Sequence, residues 1–113
     1  MLSFQKLDVY RRSIEFLAFS RRLLARLSKG NADLLDQLRR AARSITQNIA
    51  EGAGRTSRAD KAKHYTIARG SAMESAAHLD VMRVDDLIDE TDYALGVDLL
   101  ERIVSMLTKM IDP

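Results

Sequence analysis

One stretch constrains the fold of this chain more than any other: Gln37 to Asp60, QLRRAARSITQNIAEGAGRTSRAD. Leu34, Leu38, Ala41, Ala42, Ile45 and Ile49 recur at helical spacing and fall on one face. Gly52 and Gly54 then interrupt the pattern. Ser57, with Asp60 three residues on, reads as a capping box with aspartate in place of the usual glutamate. One helix is therefore expected to end, and another to start, inside this stretch. The residues before it have room for one helix, and those after it for two.

Composition supports an all-α class. The one proline is Pro113, and 46% of the residues are hydrophobic. With 113 residues, a single domain spanning 1–113 is expected. The chain has no cysteine, which excludes disulfides, thiolate nucleophiles and cysteine-ligated metals. No apolar run approaches the ~20 residues needed to cross a bilayer. No signal peptide precedes the first helix, so the expected compartment is the cytoplasm, with no membrane partner.

The first helix is expected from about Gln5 to Ser28. It carries two apolar stripes: Leu7, Tyr10, Ile14, Leu17, Ala18, Leu24 and Ala25 on one face, and Val9, Phe16, Leu23 and Leu27 nearly opposite. Arg21 falls within the first stripe and needs a carboxylate or a route to water. Gly30 fits a left-handed C′ position, and Asn31 an N-cap for the second helix, with Asp33 in its first turn. The third helix, from about Arg58 to Leu87 or Ile88, is also two-faced. Tyr65, Ala68, Ala72, Ala76 and Leu79 form one face; Gly70, Met73, Ala77, Val81, Val84 and Ile88 form the other. Gly70 in mid-helix costs ~1 kcal/mol against alanine, so a close contact with another backbone is expected there. Thr91 is the expected N-cap of the fourth helix, whose inward residues are Val97, Leu100, Ile103, Val104, Leu107 and Met110 or Ile111. Two-faced helices need more covering than one bundle core supplies, so self-association is expected.

The charge is unevenly placed. Residues 1–69 hold fifteen Lys/Arg against six Asp/Glu, a net of +9, and residues 70–113 hold three against ten, a net of −7. Either the basic half meets nucleic acid, or basic helices pack beside acidic ones within or between chains. Arg39, Arg40 and Arg43 form the densest basic cluster, with Arg11, Arg12, Arg22 and Arg26 on the first helix. The Gly52–Gly54 link lacks the spacing of a phosphate-cradling loop and comes after no strand. Glu74 and His78 are spaced i, i+4, and His64 is the other histidine; a di-iron bundle would need paired Glu-x-x-His motifs, which are absent. No catalytic residue, metal site or cofactor is expected. Asn48, Glu51, Arg55, Ser57, Asp60, Ser71, Glu74 and His78 are expected to form one structural polar group at the junction of helices 2 and 3, with Arg55 pairing to Glu51 or Glu74.

Gln37-Leu38-Arg39-Arg40-Ala41-Ala42, Ser44-Ile45, Asn48-Ile49-Ala50-Glu51-Gly52, Gly54-Arg55, Ser57 and Asp60 resemble the signature of the 23S rRNA intervening-sequence proteins. The resemblance continues through Ile67-Ala68, Gly70-Ser71, Glu74 and His78-Leu79, and Phe4, Leu7, Val9 and Tyr10 fit the family's opening pattern. It covers about two thirds of the chain. Thr46 stands where the family often has proline, and Ser13 where it often has alanine. The resemblance implies an antiparallel up-down-up-down four-helix bundle, commonly assembled as a homopentameric ring. A related branch serves reverse transcriptases as an accessory protein that binds nucleic acid and the transcriptase through basic surface. For most members no biochemical function is established, and two non-enzymatic readings stay open: an oligomeric module that binds RNA, DNA or a nucleoprotein, or a scaffold that binds protein partners alone.

Overall fold

The computed structural model describes residues 1–27 and 29–113. Among them there are four α-helices and no strand: α1 (Asp8–Ala25), α2 (Ala32–Ala53), α3 (Arg58–Val84) and α4 (Glu90–Ile111). α2 packs on α1 and α3, α4 packs on α3 and α1, and α1 and α3 stand diagonally across the core. The molecule measures 44 × 22 × 21 Å. At 1.5 Å per residue, α3 is ~40 Å long and sets the long axis. No helix among the described residues is long and apolar enough to cross a membrane.

The start of the first helix differs from expectation. Ser3–Lys6 form a 3₁₀ turn closed by Gln5, whose Oε1 accepts from the Leu2 amide at 2.7 Å. Leu7 is then extended (φ −66°, ψ 133°), so α1 begins only at Asp8. Phe4 packs edge-on against Tyr10, with centroids 5.0 Å apart, and folds the turn back onto α1. α1 ends at Ala25, while the expected terminus Ser28 lies outside the described residues. Gly30 takes no positive φ; it belongs to a 3₁₀ turn over Lys29–Asn31. Asn31 occupies the N-cap of α2 without a side-chain cap bond.

α2 buries the predicted Leu38, Ala41, Ala42, Ile45 and Ile49. Gly52 does not break this helix. It lies inside the last turn, where an added Cβ would come within 2.6 Å of Tyr65 Cε1. Glycine is needed there for close approach to α3 rather than for a turn. Lys61 Nζ donates to the Ala53 carbonyl at 3.1 Å and so closes the end of α2 from the first turn of α3.

α3 ends at Val84, short of the predicted Leu87 or Ile88, through a Schellman turn. Asp86 adopts φ 57°, Leu87 N–H donates to Met82 O at 2.8 Å, and Asp86 N–H donates to Arg83 O at 3.2 Å. Asp89, not Thr91, caps α4: its Oδ1 accepts from the Asp92 amide at 2.7 Å. Gly96 and Leu99 join Leu100, Ile103 and Leu107 on the buried face of α4, while Val97 and Val104 are half-buried. A Cβ at Gly96 would meet Phe19 and Leu79 at 2.8 Å, so this glycine lets α4 sit close to both.

On α1 the second stripe, not the first, is the core face. Val9, Phe16 and Leu23 are buried together with Ser13, Phe19, Ser20 and Leu24. Ile14, Ala18, Arg21 and Ala25 from the first stripe are exposed, and Arg21 reaches water. The core face of α3 is the predicted one, Tyr65, Ala68, Ala72 and Leu79, extended by Ser75 and Met82. A Cβ at Gly70 would meet nothing within 4 Å, so the close approach expected there is not made within the chain.

Candidate functional site

The seven candidate arginines divide into two groups. On α2, Ser44 and Asn48 turn toward α3: Ser44 Oγ accepts from Ser71 Oγ at 2.7 Å, and Asn48 Oδ1 lies 3.3 Å from His64 Nδ1. Thr46 turns toward α1 and donates to Ser13 Oγ at 3.2 Å. With Ile45 in the core, Arg39, Arg40 and Arg43 are left on the outer face of α2, and all three are exposed. Three of the four α1 arginines lean the other way, while Arg11 is exposed. Arg12 borders a groove of about 590 Å³ with Asp98, Glu101 and Arg102 of α4. Arg22 and Arg26 line a second groove with Asp92 and Leu95 of α4. The structure does not bring the two groups into one surface.

Their electrostatic states also differ. Arg12 pairs with Asp8 at 3.5 Å and with Glu15 at 3.0 Å. Arg26 pairs with Asp92 at 2.6 Å, and Arg40 with Asp36 at 3.0 Å. Arg11, Arg22, Arg39 and Arg43 are exposed and make no ion pair among the described residues. A pair to a neighbouring carboxylate neutralises an arginine toward an incoming anion. The free positive charge on α2 is therefore concentrated at Arg39 and Arg43, one helical turn apart.

The predicted single polar group separates into four. Asn48 and Ser71 join Ser44 and His64 in a hydrogen-bonded seam between α2 and α3, with Asn48 Nδ2 donating to Ser44 O at 2.9 Å. Arg55 pairs with Glu51 at the end of α2. Ser57 caps α3, its Oγ accepting from Asp60 N–H at 3.0 Å. Glu74 and His78 stand further along α3: Glu74 Oε2 is 3.5 Å from His78 Nε2, a nitrogen shielded from water that makes no hydrogen bond. Glu74 makes no contact with Arg55, because each carboxylate serves its own turn of helix. Among the described residues, no three His, Cys, Asp or Glu side chains converge in a way that could hold a metal ion.

Two networks had no sequence signal. Thr46 and Ser13, two departures from the family pattern, contact each other, and Ser13 Oγ donates in turn to Tyr10 O at 2.6 Å. At the α3–α4 corner, Arg83 makes a two-point pair with Glu90 (3.0 and 2.7 Å) and lies 4.3 Å over the Tyr93 ring. Tyr93 donates to Asp80 at 2.5 Å, and that hydrogen bond raises the phenol above its ordinary pKa.

The sequence model of the family described as 23S rRNA-intervening sequence protein matches residues 5–109. Among solved structures, a protein of unknown function from the S23 ribosomal protein family of Bacteroides thetaiotaomicron superposes with a TM-score of 0.86 at 25% identity, covering 93% of this chain and 96% of that one. No curated protein matches the chain.

Proposed function

The chain belongs to the 23S rRNA-intervening sequence protein family, and on that premise we propose that it is a non-enzymatic, homo-oligomeric module that binds RNA or DNA on the outer face of α2. The observation that carries this reading is the exposed pair Arg39 and Arg43, which no carboxylate among the described residues neutralises. Arg40 flanks them, held to Asp36 by an exposed pair that a phosphate can displace. Guanidinium forks suit phosphate oxygens, and such binding weakens steeply with salt.

The subunit in this reading is an antiparallel up-down-up-down bundle. Support comes from the register of the cross-helix contacts: residues 44 and 48 of α2 meet 71 and 64 of α3, and residues 69 and 80 of α3 meet 108 and 93 of α4. The oligomer, a ring of five by family analogy, would multiply one small basic patch into a multivalent surface. The histidines do structural work here, His64 against Asn48 and His78 beside Glu74. One observation favours the alternative, a scaffold that binds protein partners alone: Arg12, Arg26 and Arg40 are already paired within the chain.

Fluorescence-anisotropy titrations of structured RNA and duplex DNA over a salt series test the proposal. Binding that falls by ~0.9 log units per phosphate contact per decade of salt, and is lost in Arg39→Glu/Arg43→Glu, is the expected result. Salt-independent affinity, or none at micromolar protein, overturns it in favour of the scaffold.

A further inference from the structure

Two apolar strips are left exposed on the surface of the single chain, with Met73 bordering a groove beside Val97 and Val104 of α4 and Val81 one beside Leu34 of α2. On α3, Gly70, Met73, Ala77, Val81 and Val84 take three- and four-residue steps along the face opposite Ala72 and Leu79. Met73 is 54% and Val84 82% exposed. On α1, Ile14, Ala18 and Ala25 are exposed on the face opposite Phe16 and Leu23. α1 and α3 are diagonal in the bundle, each packing on α2 and α4, so these two faces point away from each other. One copy can therefore engage two neighbours without overlap.

The flanks of the strips carry opposite charge. Arg11, Arg21 and Arg22 border the α1 strip and make no ion pair among the described residues. Glu74 and Asp85 border the α3 strip, both exposed, and among the described residues the one ion-pair contact they make is that of Glu74 with His78. Joining like strips would set arginine against arginine or carboxylate against carboxylate, whereas joining unlike strips pairs them. The lengths are comparable as well: Gly70 to Val84 spans ~21 Å and Ile14 to Ala25 ~17 Å at helical rise.

We infer that the α3 strip of one copy docks on the α1 strip of the next, head to tail, with Gly70 admitting the neighbouring helix close to the α3 axis. The inference rests on the homo-oligomeric reading and adds which faces meet. It gives Gly70 a purpose that the fold of one chain does not, since a Cβ there meets nothing within 4 Å. A head-to-tail contact uses different patches on the two copies, so it repeats until it closes a ring.

The test is the molar mass of the full chain by light scattering across protein concentration, with circular dichroism confirming the fold. The wild type is expected at a multiple of 12.7 kDa. Gly70→Lys, which has open space in the monomer, is expected to keep its helix content and fall to monomer. Arg11→Glu/Arg22→Glu is expected to weaken association about tenfold or more, and adding Glu74→Arg/Asp85→Arg to the same chain to restore it. An oligomeric wild type whose mass survives Gly70→Lys and both charge reversals overturns this interface and leaves the oligomer reading standing. A wild type that stays monomeric at high micromolar concentration overturns the oligomer reading itself.

Discussion

The inward and outward faces of α3 are built from similar residues and meet different surroundings. Inward, Tyr65, Ala68, Ala72, Ser75, Leu79 and Met82 are all buried. Outward, Gly70, Met73, Ala77, Val81 and Val84 stand in solvent in the single chain. Alanines serve both faces, but the glycines differ. Gly52 and Gly96 sit where a side chain would strike a neighbouring helix, whereas the space around Gly70 is open. Small residues at a helix seam record a partner that has to come close. Inside the bundle that partner is visible. Outside it, the same pattern belongs to the inferred contact with a second copy.

Substitutions can break or sharpen this contrast. Leu79→Ala, on the inward face, should have the largest effect. It empties a fully buried site, for an expected loss of about 2–5 kcal/mol in urea unfolding. Gly52→Ala should lose about 1–3 kcal/mol, because the new methyl meets the Tyr65 ring and His64 Cβ. Gly70→Ala should do the reverse. At a dilution where the chain is monomeric it should gain about 1 kcal/mol, the difference in helix propensity. A loss at Gly70 in the monomer would mean that the fold of one chain needs this glycine after all. Asp86→Gly, at the left-handed position of the α3–α4 corner, should gain a few tenths to about 1 kcal/mol, seen as a small rise in melting temperature. Val81→Ala, on the outward face, should stay within about 0.5 kcal/mol of the wild type in the same dilute unfolding experiment.

The α2 face and the α2–α3 junction were legible because their signals are local. An apolar period runs to Ile49 and Gly54 stands at the C-cap, although Gly52 lies inside the helix rather than ending it, and Ser57 with Asp60 three residues on marks the next start. The core face of α1 was not legible. Ser13 and Ser20 look like surface residues in the sequence, yet both are buried because each donates to its own helix, Ser13 to Tyr10 O at 2.6 Å and Ser20 to Leu17 O at 2.8 Å. A serine satisfied by its own backbone costs little to bury, and polarity alone misplaces it. The cap of α4 was missed because Asp89 and Thr91 are both good N-caps, and only the backbone decides between them. The arginine surface was half legible. The sequence names the arginines, but which of them are neutralised depends on contacts such as Arg26 with Asp92, sixty-six residues apart. The eight polar residues do not form one group because they share a stretch of sequence rather than a point in space.

The central claim is that another copy of the chain covers the outward face of α3. The melting temperature of the wild type, measured over a hundredfold range of protein concentration, tests this most directly. Folding coupled to self-association makes the melting temperature rise with concentration. A rise in the wild type that disappears in Gly70→Lys is the expected result. A melting temperature that does not change with concentration would show that the outward face stands alone in water, and would contradict the claim.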